Sequence, residues 1–348
     1  MVVLLGDGDA RLVTLTGPGG VGKTRLALRI AAGLGACFPD GVWFVPLAAV
    51  VDPELVVPAI AQVVAPPDGG DRPAEERLRL SLKGRRALLV LDNFEQVLPA
   101  APALADVLAS CPTVSALVTS RARLRLSAER TFPVPPLDLP DPGSRAVDEV
   151  GASGAVRLFI ARAKATGIDF SLNPENAAPV AEICRRMDGL PLAIELAAAW
   201  SEVLPPTAMQ ARLQMRLPLL VGGPRDLPAR QRTMRDAIAW SHDLLESDER
   251  VLFRRLAVFV DGFTLEAAEA VAAEEGRGLR GIAALVDKSL LRREAGPGDE
   301  PRFAMLETVR EFAAEQLAAA GEETPVRAAH AAWCLDLAKC GASALRVR

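Results

Sequence analysis

The segment Gly17-Pro-Gly-Gly-Val-Gly-Lys-Thr24 constrains this chain more than any other stretch of it. It fits G-x-x-x-x-G-K-[ST], and it lies where that pattern requires. An apolar run, Arg11–Thr16, precedes it, and Leu26, Ile30 and Leu34 follow at helical spacing. Gly17, Gly19, Gly20 and Gly22 permit backbone angles closed to other residues, so successive amides can turn inward around one anion. The following helix adds its positive end and its unpaired amides. The pattern predicts a loop around nucleotide phosphates, with Lys23 reaching the β- and γ-phosphates and the Thr24 hydroxyl on Mg²⁺. Val21 inside the loop and Arg25 just after it complete the candidate contact set. A chance match is rare, roughly one in a hundred at ordinary glycine and lysine frequencies.

The neighbourhood fits an α/β domain. Val42–Leu47, Ala87–Leu91, Ala116–Thr119 and Thr131–Leu137 are further short apolar runs without alternation, as expected of parallel strands covered on both faces. Helical stretches separate them, and Gly33 and Gly35 offer a stop to the first helix, so the series reads as a doubly wound parallel sheet. In such sheets ligands sit beyond the carboxyl ends of the strands. Arg86-Ala-Leu-Leu-Val-Leu-Asp92 ends there in a carboxylate, which makes Asp92 a candidate second Mg²⁺ ligand, against the alternative of a buried strand that merely ends in Asp at a turn. Asn93 follows, and an amide cannot take a proton from water, so Glu95 is the nearest candidate base, against the alternative of a solvated helix start. Ala116-Leu-Val-Thr-Ser-Arg121 ends in a cation that could touch the γ-phosphate; the alternative is a surface arginine, since Arg123, Arg125 and Arg130 follow closely.

Beyond a Pro-, Gly- and Asp-rich linker, Pro133–Gly154, the strands give way to helical patterns near 154–167, 175–188, 190–204 and 207–217. After the Pro-Gly segment Pro218–Pro228 come helices near 233–245, 248–257, 264–274 and 279–287. A hairpin of Ser289–Arg293 and Arg302–Leu306 and a helix, Glu307–Ala320, complete a winged-helix pattern. The expected division is residues 1–138 for the nucleotide-binding domain, 139–224 for linker and helical domain, 225–320 for the winged helix, and 321–348 for the start of a helical repeat. The net charge of −4 advertises neither nucleic acid nor an anionic membrane. No apolar run approaches a membrane span or a signal segment, so the expected location is the cytoplasm. The 5 cysteines lack metal spacing and read as reduced, mostly buried thiols, and with only 2 histidines a zinc site is not expected.

Together with Gly189-Leu-Pro-Leu-Ala193, these elements resemble the NB-ARC branch of the STAND signal-transduction NTPases. The nearest likeness is to the ATPase module of SARP- and LuxR-type bacterial transcriptional regulators. It is carried by Leu91-Asp-Asn-Phe-Glu-Gln-Val97, Gly262-Phe-Thr-Leu-Glu-Ala-Ala268, Leu285-Val-Asp-Lys-Ser-Leu290 and Leu306-Glu-Thr-Val-Arg-Glu-Phe312, in that order. The resemblance implies that Pro191 packs on the adenine of bound ADP; read from the residues alone, Gly189-Leu-Pro is a helix stop followed by Pro in the next first turn. Two departures from the family stand out. No Val-Gly-Arg segment precedes the first strand, and Met305, Leu306 and Glu307 occupy the positions of its Met-His-Asp motif.

The expectation is an ATP/ADP switch of a signal-transduction or transcriptional regulator, the core of a longer protein whose effector is not visible here. ADP would clamp the α/β domain against the helical units; ATP would release it and permit self-association, with slow hydrolysis. A turnover ATPase driving mechanical or transport work is the main rival. A third reading is direct DNA binding through the winged helix. Arg280 and Lys288 are the only cations on its candidate recognition helix, so direct DNA contact is not expected.

Overall fold

A computed structural model describes residues 5, 10–65, 72–144, 146–167, 169–212, 217, 220, 232–272, 277–296 and 300–346, the side chains of 340–346 excepted. The chain divides into two compact units, Met1–Pro135 and Pro136–Arg348. The Pro-Gly segment 218–228 and the centre of the hairpin connection fall largely outside the described residues.

In the first unit, β1 (Leu12–Thr16) runs through the glycine loop into α1 (Lys23–Gly33). Then follow β2 (Val42–Pro46), α2 (Val56–Val64), α3 (Ala74–Leu82), β3 (Ala87–Asp92), a 3-10 turn (Phe94–Ala100), α4 (Ala101–Ser110), β4 (Val114–Thr119) and β5 (Glu129–Pro133). The five strands form one sheet in the order β2-β3-β4-β1-β5, each neighbouring pair parallel. Both faces are covered at the centre. Ala87, Leu89 and Leu91 of β3 join a core with Val56 and Ile60 of α2 and Leu104 of α4. Leu88 and Val90 point the opposite way and are also 0% exposed, and α1 packs on β3 and β4. Each fully buried leucine contributes roughly 1.5–3 kcal/mol.

The expected lack of alternation holds for β1, β3 and β4, every residue of which is buried. It fails for β2 and β5, where exposed positions recur. These two are the sheet edges, and strand order is what decides that.

The second unit begins with α5 (Val147–Ala152), α6 (Gly154–Ala165), α7 (Ala177–Arg186), α8 (Pro191–Ala199) and α9 (Pro206–Arg212). Next come α10 (Met234–Asp243), α11 (Ser247–Arg255), β6 (Phe263–Thr264), α12 (Leu265–Val271), α13 (Gly278–Asp287), β7 (Arg292–Ala295), β8 (Pro301–Ala304), α14 (Glu307–Ala319) and α15 (Glu323–Arg346). The hairpin gains a third strand, in the antiparallel order β6-β8-β7. The His242 ring lies 5.7 Å from Phe253 and 5.6 Å from Phe312, joining α10, α11 and α14, and burial lowers its pKa. Cys111 and Cys184 are buried as expected, whereas Cys334 is exposed on α15. Among the described residues no helix is long and apolar enough to cross a membrane.

Candidate functional site

The strand order places β4 between β1 and β3, so three carboxyl ends stand side by side: the glycine loop, Thr119 and Asp92. Gly17, Gly20 and Gly22 have positive φ, at 150°, 80° and 95°, and Gly19 does not. Gly22 is the N-cap of α1 and offers no side-chain acceptor, and the first turn carries no acidic residue. The amides of that turn therefore have no side-chain cap, the condition under which a helix start holds an anion.

Lys23 is 9% exposed, and its Nζ donates to the carbonyls of Gly17 at 2.7 Å and Pro18 at 3.0 Å, curled into its own loop. Burial lowers its pKa to about 8, with Glu95 and Asp92 pulling it up and Arg121 pushing it down. The Thr24 hydroxyl donates to Asp92 Oδ1 at 2.6 Å, joining residues 68 apart in sequence. Those two oxygens suit Mg²⁺, which takes one or two protein oxygens and completes its shell with phosphate and water. No cluster of three or more His, Cys, Asp or Glu side chains suited to a metal occurs among the described residues. Arg25 is exposed and Val21 buried beside Gly17.

Thr119 is a residue that sequence reasoning missed. Its hydroxyl donates to the same Asp92 Oδ1 at 2.6 Å and accepts from the Asn93 amide at 3.0 Å. Its signal was present: a polar Thr-Ser-Arg triplet closing an apolar strand. Asn93 takes the left-handed conformation, φ 65°, which asparagine tolerates better than most residues. Immediately after it, Phe94 and Val97 are 0% exposed and pin the 3-10 turn to the core.

Glu95 is consequently no solvated helix start. It is 4% exposed, and its Oε1 accepts from Arg121 Nε at 3.2 Å and from Asn93 Nδ2 at 3.3 Å. Its Oε2 is buried without a hydrogen-bond partner. Arg121 is no surface arginine either: it is 6% exposed, whereas Arg123, Arg125 and Arg130 are exposed. The structure thus gathers Lys23, Thr24, Asp92, Glu95 and Arg121 at one edge of one sheet. Pro191 belongs to the second unit, at the first turn of α8 behind a left-handed pair, Asp188 at φ 55° and Gly189 at φ 66°.

A family model described as a winged helix-turn-helix domain matches residues 245–318. The uncharacterized protein Rv0894 of Mycobacterium tuberculosis is 39% identical over 326 residues, covering 92% of this chain and 80% of that one. A protein of the same species, provisionally named HTH-type transcriptional regulator Rv0890c, is 42% identical over 317 residues, 90% of this chain and 34% of its own length. Regulatory protein AfsR of Streptomyces griseus is 29% identical over 338 residues, covering 90% of this chain and 30% of that protein. This chain therefore spans about a third of the named regulators it matches. A helix-turn-helix description is at odds with the expectation that the unit makes no DNA contact. That expectation rested on how few side chains able to reach base edges the helix carries, together with the net charge, and neither count decides whether one or two placed side chains make the contact.

Proposed function

The chain belongs to the same protein family as Rv0894 of Mycobacterium tuberculosis, and from that premise we propose that it is an ATP- and ADP-binding switch within a bacterial transcriptional regulator, acting in the cytoplasm. One observation carries the reading: Thr24 and Asp92 meet at 2.6 Å beside a buried Lys23 and a buried Arg121–Glu95 pair. In this assignment Gly17, Gly19, Gly20, Val21, Gly22, Lys23, Thr24 and Arg25 hold the phosphates, Thr24 and Asp92 hold Mg²⁺, and Arg121 reads the third phosphate. Pro191 is kept as the adenine contact on the strength of the resemblance to NB-ARC proteins. ATP favours a self-associating form and ADP the resting one. A tenfold preference between them needs only about 1.4 kcal/mol.

Hydrolysis in this reading is slow, because Asn93 next to Asp92 cannot take a proton from water, and Glu95 is open to one only when Arg121 is drawn off it. Dissociation constants for ADP and ATP, measured beside a hydrolysis rate and sedimentation in each nucleotide, test it. Turnover in the tens per second, above the roughly 10 s⁻¹ of a median enzyme, would point instead to a motor-like ATPase.

The winged helix-turn-helix match favours a second activity, direct DNA contact through residues 245–318. Just before α13 Arg277 pairs with Asp248, and just past its end Lys288 pairs with Glu249, while Arg280 on the helix is exposed. Arg280 is accordingly the side chain assigned to a base edge or phosphate. A mobility-shift assay in which Arg280→Ala binds as tightly as wild type removes that assignment.

A further inference from the structure

We propose that Glu95 and the third phosphate of ATP compete for Arg121, so that ATP itself releases the base that ADP leaves locked. The inference rests on the reading of the glycine loop as a phosphate site. Arg121 and Glu95 have side chains 7% and 2% exposed, and they meet at 3.2 Å. A buried pair of this kind is held in place by its surroundings, because separating the partners leaves an uncompensated charge in a low dielectric. Yet the pair is incomplete. Glu95 Oε2 is buried with no hydrogen-bond partner, a costly state for a charged oxygen. An acceptor in that state lacks a donor, and in the proposal a water beside the terminal phosphate supplies one once Arg121 has moved.

Charge balance separates the two nucleotides. The buried set consists of two cations, Lys23 and Arg121, and two carboxylates, Asp92 and Glu95, and Lys23 lies within electrostatic reach of the other three. The loop and Lys23 can take two phosphates without disturbing Arg121. A third phosphate brings further negative charge towards the carboxyl end of β4, where Arg121 stands. A guanidinium binds phosphate through two parallel hydrogen bonds, which a carboxylate already shared with an amide does not match. Asn93 then has a role that the sequence left unexplained. Its Nδ2 holds Glu95 Oε1 at 3.3 Å, and its own amide is fixed on Thr119, so Glu95 stays in place when Arg121 turns away. In the step this allows, the water oxygen bonds to the γ-phosphorus and its proton passes to Glu95. The bond to the β-bridging oxygen breaks, its electrons leaving on ADP.

The test is calorimetric binding of ADP and of the β,γ-imido analogue of ATP, with Mg²⁺, to the wild-type chain, Glu95→Gln, Arg121→Ala and the double variant. Glu95→Gln should bind the analogue about tenfold tighter, a typical coupling for residues in contact, with ADP affinity nearly unchanged. Arg121→Ala should lose about tenfold for the analogue alone, and the double variant should behave like Arg121→Ala. Unchanged analogue affinity in folded Glu95→Gln, with Arg121→Ala weakened, overturns the competition and leaves the nucleotide reading standing. Failure of the wild type to bind either nucleotide overturns the nucleotide reading instead. Should the Glu95 variant not fold, the Nε–H resonance of Arg121 in the wild type decides. It should shift with the analogue and not with ADP, and equal responses to both overturn the proposal.

Discussion

The carboxylate of Asp188 accepts two hydrogen bonds from Thr308, from its backbone N–H at 3.1 Å and its hydroxyl at 3.2 Å, across 120 residues of sequence. Thr308 is the second residue of α14, whose N-cap position is Leu306, a side chain with nothing to offer the free amides. Asp188 supplies the missing acceptor from the turn that precedes Pro191. Within the second unit, the last helix of the winged helix is thereby tied to the start of α8.

Asp188→Ala should lower stability by about 1–2 kcal/mol, the usual loss on removing a helix-capping side chain. Thr308→Val, which keeps the shape and the backbone bond, should lose less. Denaturant melts of both variants check this. A change below about 0.3 kcal/mol for Asp188→Ala would mean that water replaces the carboxylate without cost.

Gly189→Ala tests the same turn from its backbone. Gly189 has φ 66°, its carbonyl accepts from Leu137 N at 2.9 Å, and an added Cβ would lie 2.4 Å from the Leu137 carbonyl oxygen. Gly167 has φ 91° but nothing within 4 Å of such a Cβ. Gly167→Ala should therefore cost only the left-handed penalty, roughly 1–2 kcal/mol, and Gly189→Ala clearly more. Equal melting temperatures for the two variants would show that the Leu137 segment yields freely.

Lys23 gives the account a pH signature. Burial lowers its pKa from 10.5 to about 8. The native chain therefore sheds this proton before the unfolded chain does. Between about pH 8 and 10.5 the unfolded state binds more protons, and this group adds stability as pH rises through that window. Phosphate oxygens favour the charged ammonium, so nucleotide binding should take up most of one proton near pH 9 and almost none near pH 6.5. Affinity should fall as pH rises above 8. Calorimetry in two buffers of different ionisation enthalpy measures the uptake directly. No uptake at the higher pH would show that Lys23 does not meet the phosphates.

Much of the first unit was legible because one motif fixes its context. A glycine loop with an apolar strand before it and a helix after it admits few folds, and Asp92 closing a second apolar run followed from the same logic. What escaped the sequence depended on order in space. The edge positions of β2 and β5 follow from strand order, which no local pattern carries. Glu95 and Arg121 each had a bland alternative as surface residues, and only the burial of Phe94 and Val97 draws the intervening turn inward. Thr119 was read as the polar end of a strand, and its grip on Asp92 needs the register of β3 beside β4. At two residues, β6 is too short to leave a periodicity. The Asp188–Thr308 bond, spanning most of the second unit in sequence, left no trace at all.

The central claim is that Lys23 and its loop hold nucleotide phosphates, and titration of Mg²⁺–ATP into wild type and Lys23→Ala tests it most directly. Removing Lys23 deletes a charge-assisted contact of about 1.5–3 kcal/mol, so affinity should fall by roughly 10- to 150-fold, with the fold intact by circular dichroism. Equal ATP affinity in the two proteins would contradict the account.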